Sequence, residues 1–406
     1  MTELDLRFAR RTRLRGGEEL TAILAGNVPG VLSMTGGFPN AATFPTKELE
    51  ELAARLVRDD AAASLQYTPS AGLASVRDYL VDRQEQLQRR RPDLAELMVT
   101  SGGMDCLALM CQALIDPGDS IVVEAPSYLG ALMAFAAAEA ELVAVEMDED
   151  GLRVDALAER IAGGLRPKFV YTIPEYQNPT GRTLSLERRH QVVELCRRHG
   201  VLIFEDVAYR ELSFDGRSLP TLWSLAPEIV LQAGTFSKSF FPGVRLGWAT
   251  GPRELVAELI AAKGNTDQCA GALGQRLVEE YGRDGGFERH LPAARALYAS
   301  HWSALSEALT RHMPAGVRWS EPTGGFLTWV ELPEELESLV LRPAALAAGV
   351  AYVPGPPFHA GDGGRGALRL SFSHLTEDEL AAAVERLAGV VHAALEQVPA
   401  ARLRSK

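Results

Sequence analysis

The feature that most limits what this chain can fold into is a repeated alternation of short apolar runs with amphipathic helical patterns. Seven runs read as buried strands: Glu96–Ser101, Ser120–Ala125, Glu141–Met147, Lys168–Ile173, Val201–Glu205, Ile229–Ala233 and Arg245–Thr250. Between them lie helical stripes such as Leu107, Met110, Cys111 and Leu114, or Val192, Leu195, Cys196 and His199, with Gly200 placed to end the second helix. Strands alternating with helices imply an α/β fold: a mostly parallel seven-stranded sheet sandwiched by helices, with the ligand crevice at the carboxyl ends of the strands. From about Phe287 the pattern changes to long helical stretches around the strand candidates Gly325–Glu331 and Ala367–Phe372. We therefore expect an N-terminal arm over residues 1–45, a large domain over 46–286 and a smaller α+β C-terminal domain over 287–406. The arm carries Arg7, Arg10, Arg11, Arg13 and Arg15 and a helical pattern around Glu18–Leu24.

Composition narrows the function classes. The 406 residues are 47% hydrophobic, enough for a large core, and the net charge of −12 disfavours a nucleic-acid partner because a phosphate backbone would be repelled. Cys106, Cys111, Cys196 and Cys269 form no CxxC pair, and the eight histidines form no HExxH pair, so we expect reduced, mostly buried thiols and no metal. The GxxxxGK[ST] pattern does not occur. With no apolar run of about 18 residues and no signal-peptide core at the start, no membrane association and a cytoplasmic location are expected.

Chemistry is concentrated in Thr235-Phe236-Ser237-Lys238-Ser239-Phe240-Phe241-Pro242-Gly243-Val244-Arg245, which follows a predicted strand. A lysine there can hold a carbonyl as a Schiff base, while the hydroxyls and guanidinium can bind a phosphate. Taken alone, Ser-Lys-Ser would more often be a solvated loop. Gly102-Gly103-Met104 opens an amphipathic helix, where free N–H groups and the helix dipole attract an anion and glycine permits close approach. Arg369 lies on a strand candidate, where a ligand carboxylate is a natural partner for a buried guanidinium and a structural salt bridge is the alternative. By themselves Asp206 would read as a helix cap, Asn178-Pro179-Thr180-Gly181 as a turn and Tyr128 as a core residue.

The chain resembles the class I/II, fold-type I aminotransferases that use pyridoxal 5′-phosphate. Eight segments match in order: Gly36-Gly37-Phe38-Pro39, Tyr67-Thr68-Pro69, Thr100-Ser101-Gly102-Gly103, Glu124-Ala125-Pro126-Ser127-Tyr128, Asn178-Pro179-Thr180-Gly181, Glu205-Asp206-Val207-Ala208-Tyr209, the lysine segment and Arg369-Leu370-Ser371-Phe372. The resemblance implies that Lys238 forms the Schiff base and shuttles the substrate proton, and that Asp206 pairs with the ring nitrogen. It also implies that Asn178 and Tyr209 bind the ring's phenolic oxygen and Tyr128 stacks on its face. Gly102, Gly103, Met104, Thr235, Ser237 and Arg245 would hold the phosphate, with Tyr67 reaching it from a neighbouring subunit. Arg369 would take the substrate α-carboxylate, beside Gly37 and Asn178. The implied protein is a homodimeric transaminase moving an amino group from an amino acid to a 2-oxo acid by a ping-pong mechanism.

The Gly-Gly-Phe-Pro and Tyr352–Phe358 segments are most similar to the 2-aminoadipate aminotransferase branch. Two departures stand out. Leu20 occupies the position where some of that branch carry an arginine for a side-chain carboxylate, and Ser-Gly-Gly-Met-Asp replaces a serine-bearing phosphate turn. The same site could instead support decarboxylation or oxidative deamination. An aminotransferase-like transcription regulator is a further alternative, but the residues before Gly36 are too few for a winged-helix reader.

Overall fold

The computed structural model describes residues 8, 9, 11 and 29–397. The predicted helix around Glu18–Leu24, Leu20 itself and Arg7, Arg10, Arg13 and Arg15 lie outside the described residues. The strands are β1 (Leu32–Ser33), β2 (Leu97–Thr100), β3 (Ser120–Ala125), β4 (Glu141–Asp148), β5 (Gly151–Leu152), β6 (Phe169–Thr172), β7 (Leu202–Asp206), β8 (Val230–Thr235), β9 (Gly247–Thr250), β10 (Arg318–Trp319), β11 (Leu327–Glu331), β12 (Val350–Ala351), β13 (Val353–Pro354) and β14 (Ala367–Ser371).

The principal sheet has the order β2-β9-β8-β7-β6-β3-β4-β5. Neighbours from β8 through β4 run parallel, β9 runs against both β8 and β2, and β5 folds back on β4. All seven expected strands are present. The eighth, β5, is a two-residue return at Gly151, whose φ of +93° suits glycine, and it is too short to register as an apolar run. A second correction concerns Arg245, which does not belong to β9: after the turn Pro242–Val244 it adopts a left-handed conformation (φ 47°) and the strand begins at Gly247.

The central strands are mostly apolar and buried because helices cover both faces; every residue of β6 is buried. Helix Gly103–Leu114 buries Cys106, Leu107, Leu109, Met110 and Cys111 against the sheet side of its surface. Helix Leu186–His199 starts where the Ser185 hydroxyl accepts from the Arg188 N–H and ends at Gly200, whose φ of 65° closes it as expected. Its buried face is Arg189, Val192, Val193 and Cys196, rotated from the predicted stripe, because the Arg189 guanidinium satisfies itself on the carbonyls of Leu184, Pro174 and Pro220. His199 is exposed in the last turn with Arg197 and Arg198, which suits the helix dipole.

A separate antiparallel sheet, β10-β11-β14-β13, is accompanied by helices Gly286–His312 and Glu377–Gln397, which pack on one another. The parallel pair β1–β12 ties the segment before Gly36 to this region. Cys106, Cys111 and Cys196 are buried free thiols. No helix among the described residues is long and apolar enough to cross a membrane.

Candidate active site

Strands β2, β3, β6, β7 and β8 point the same way, and their carboxyl ends lead respectively to Gly102, Tyr128, Asn178, Asp206 and Thr235. This common direction gathers residues more than a hundred positions apart. Asp206 ends β7; its carboxylate accepts from the Tyr171 hydroxyl at 3.0 Å and from the Ala208 N–H at 3.1 Å. Burial pushes its carboxyl above the ordinary aspartate range, and no ion pair to it is formed among the described residues. A cationic N–H brought against it would favour the ionised form.

Lys238 sits on the helical turn Phe236–Ser239 directly after β8. Its Nζ donates to the Gly37 carbonyl at 2.9 Å. Burial, reinforced by the neighbouring Arg369 charge, lowers the amine to about 8, which brings the neutral, nucleophilic form within reach near physiological pH.

An anion cradle lies beside it. Gly102 precedes helix Gly103–Leu114 with φ 103°, and a Cβ there would stand 2.9 Å from an Arg245 nitrogen. The first N–H groups of the helix have no carbonyl partner within it and are free for an anion. Thr235 Oγ1 and Ser237 Oγ lie 3.0 Å apart, and Arg245 Nη1 donates to Ser237 Oγ at 3.4 Å. Arg245 is exposed, so its guanidinium is available to a ligand.

Arg369, on β14, is buried without a carboxylate among the described residues. Nη1 donates to Asn178 Oδ1 at 3.0 Å and Nη2 to the Thr35 carbonyl at 2.5 Å, while Nε has no partner. The guanidinium carbon lies 5.0 Å from the Phe358 ring centroid. Burial lowers the group to about 10, an uncommon condition for an arginine and one that an arriving carboxylate would relieve. The salt-bridge alternative for Arg369 is thereby removed for the described residues. Because the guanidinium fixes Asn178 Oδ1, the amide presents Nδ2 to the Tyr209 hydroxyl oxygen at 3.4 Å. Burial raises the Tyr209 phenol well above its usual range, so it stays protonated and keeps a hydrogen to donate.

Tyr128 is half-buried; its ring packs on Gly130 and its hydroxyl donates to Met104 Sδ at 3.6 Å. Gly103 and Met104 lie in the first turn of the cradle helix. Tyr67 is the exception to the convergence: it is 80% exposed and lines an open surface cavity with Leu65, Asp267 and Cys269. The sequence reading missed Tyr171, Thr35, Phe358 and Phe326. Tyr171 had a signal, a polar ring in an otherwise apolar strand beside β7; Thr35 acts through its carbonyl, which no side chain reveals.

These residues suit pyridoxal 5′-phosphate: a half-buried carboxylate, an amine of lowered basicity, an anion cradle at a helix start, and a guanidinium with an orphaned Nε. The comparisons agree. The pattern "Aminotransferase class I and II" matches residues 37–387. The 2-aminoadipate transaminase of Thermus thermophilus is 38% identical over 363 residues, 88% of this chain and 89% of that protein. Aromatic-amino-acid aminotransferase 1 of Thermococcus litoralis is 35% identical over 89% of this chain and 88% of its own length. A crystal structure of LysN, an alpha-aminoadipate aminotransferase from Thermus thermophilus, complexed with N-(5′-phosphopyridoxyl)-L-leucine, superposes with a TM-score of 0.91 at 34% identity, covering 98% of this chain and all of the other.

Fold and site together define a fold-type I pyridoxal-phosphate enzyme. More specifically, the chain belongs to the class I and II aminotransferase family, and fits its 2-aminoadipate branch. It is a transaminase that uses pyridoxal 5′-phosphate.

Proposed function

We propose that the enzyme acts as a cytoplasmic homodimer, with the site residues in the following roles. Bound pyridoxal phosphate supplies an aldehyde that takes up an amino group and a ring that draws the electron pair released at the substrate Cα. Lys238 would hold the cofactor through Nζ and, once released by the substrate amine, its neutral amine would take the proton from the substrate Cα and give it back on the cofactor side. With a 2-oxo acid the same groups act in reverse. Asp206 keeps a proton on the ring nitrogen. Asn178 and Tyr209 donate to the phenolic oxygen, and Tyr128 covers one ring face. The N–H groups of Gly103 and Met104 at the Gly102 turn, with Thr235, Ser237, Arg245 and the partner subunit's Tyr67, bind the phosphate.

Arg369 receives the substrate α-carboxylate, oriented by Asn178 and the Thr35 carbonyl, with Gly37 alongside. Its buried, carboxylate-free guanidinium is the observation that carries the assignment to an amino-acid substrate. An apolar or aromatic side chain is favoured over a second carboxylate. Phe326 packs against Tyr209 at 5.3 Å between ring centroids and borders Gly37, and Leu20 stands where the branch can carry an arginine.

With an amino acid and 2-oxoglutarate varied together, the expected initial-rate pattern is a set of parallel lines, with neither CO₂ released nor O₂ consumed. Gas evolution or O₂ uptake without an oxo acid would move the assignment to the decarboxylase or oxidase alternative. Arg369→Met is expected to lower kcat/KM by roughly a hundredfold or more, chiefly through KM. The apoprotein of this variant should melt no lower than wild type, because the substitution removes a desolvated charge with no carboxylate partner. A fall in melting temperature at unchanged KM would make Arg369 structural.

A further inference from the structure

Behind the cradle turn lies a second lysine that the proposed mechanism does not use. Lys263 occupies the last turn of helix Arg253–Gly264 and is completely buried. Its Nζ donates to Asp105 Oδ2 at 2.8 Å, to both Asp267 oxygens at 2.8 Å and to Ser101 Oγ at 3.0 Å, so all three of its hydrogens are engaged. A desolvated ammonium is tolerated only with such saturation, and it therefore fixes whatever it touches.

What it touches is the turn that presents the anion site. Asp105 lies in the first turn of helix Gly103–Leu114, and its Oδ2 also accepts from the Ser101 N–H at 2.7 Å. Ser101 Oγ donates to Asp267 Oδ2 at 2.6 Å, and the Ser101 carbonyl accepts from Arg245 Nη2 at 3.3 Å. Every polar atom of Ser101 is thus held, three groups deep, between Lys263 and Arg245. The next residue is Gly102, whose φ of +103° aims the free N–H groups of the helix. The cluster also carries two carboxylates beside a site meant for an anion. Lys263 compensates one full negative charge there.

We propose that Lys263 is a positioning residue for the cofactor phosphate: through Asp105, Asp267 and Ser101 it locks the Ser101–Met104 turn and offsets the two aspartates, and so sets the affinity for the phosphate group. This rests on the reading above that the Gly102 turn and Arg245 bind that phosphate.

The test titrates pyridoxal 5′-phosphate and, separately, pyridoxal into the apoproteins of wild type, Lys263→Met and Arg245→Met, and compares the ratio of the two dissociation constants. Melting temperature is followed alongside. Arg245→Met must shrink the preference for the phosphorylated form; if it does not, the phosphate reading itself is wrong. Given that control, Lys263→Met is expected to shrink the preference by roughly tenfold, the lower end of what outer partners contribute to a bound ion, while pyridoxal binding changes little. An unchanged ratio with a lowered melting temperature would make Lys263 a purely structural anchor and overturn the proposal. If Lys263→Met does not fold, Ser101→Ala decides: it cuts the hydroxyl link alone, and the same ratio must fall by a smaller but measurable factor, or the proposal fails.

Discussion

Lys238→Ala is expected to leave a folded protein whose amino-transfer half-reaction is slower by roughly 10⁴-fold or more. The side chain makes a single hydrogen bond, to the Gly37 carbonyl, and its helical turn is held independently by the Thr235 hydroxyl accepting from the Ser237 N–H. Little stability is therefore at stake. Chemically, however, the variant loses both the nitrogen that holds the aldehyde and the base that moves the proton at Cα, and among the described residues no other lysine is placed to replace it: Lys263 is locked behind the cradle, Lys168 pairs with Asp119 on the surface and Lys47 is exposed on helix Thr46–Asp59. Stopped-flow spectroscopy of the half-reaction provides the check. The same amine sets a pH dependence. With Nζ titrating at about 8, covalent loading of the wild-type apoprotein should be fastest above that pH and slow about tenfold per unit below it, as the nucleophilic neutral form is lost. A midpoint near that of a free lysine would show that the burial described above does not act on Nζ.

The second large effect is expected at Asp206. Replacing it by asparagine preserves the shape at the end of β7 and leaves an oxygen for the Tyr171 hydroxyl, yet removes the charge. Without that charge nothing holds the proton on the ring nitrogen, and the ring draws electrons from Cα less strongly. We expect kcat to fall by roughly 10²–10³-fold, the scale of one lost electrostatic contact in a desolvated site. The carboxyl of wild type is pushed up by burial, so a cationic partner is also worth affinity: cofactor dissociation should be faster in the variant. Single-turnover kinetics and cofactor off-rates measure the two consequences separately. Equal rates in the two proteins would contradict a role at the ring nitrogen.

Much of this is legible in the sequence because the informative residues stand at strand ends, where an apolar run stops and a polar residue begins. Val201–Glu205 points to Asp206, and Ile229–Ala233 points to the lysine segment. Gly200 is legible as a helix stop because only a left-handed residue fits there. Several of the failures come from distance along the chain. The Asp105–Lys263 contact spans 158 positions and Arg369–Asn178 spans 191, so no local spacing encodes them. Arg189 is buried on its helix because the carbonyls of Leu184, Pro174 and Pro220, two of them well separated along the chain, receive it. β5 is too short to see, and the apolar pattern that places Arg245 on a strand runs through the turn that displaces it. Tyr67, by contrast, is exposed on this chain and meets none of the site residues within it.

The chain contains five lysines, at positions 47, 168, 238, 263 and 406, which makes one measurement unusually direct. Borohydride reduction of the loaded enzyme turns a carbon–nitrogen double bond into a stable single bond, and peptide mapping then locates it. The account predicts the pyridoxyl mass on the peptide bearing Lys238, in about one equivalent per chain, and no such adduct in Lys238→Ala. Stoichiometric label on Lys263 or any other lysine, with Lys238 unmodified, would contradict it.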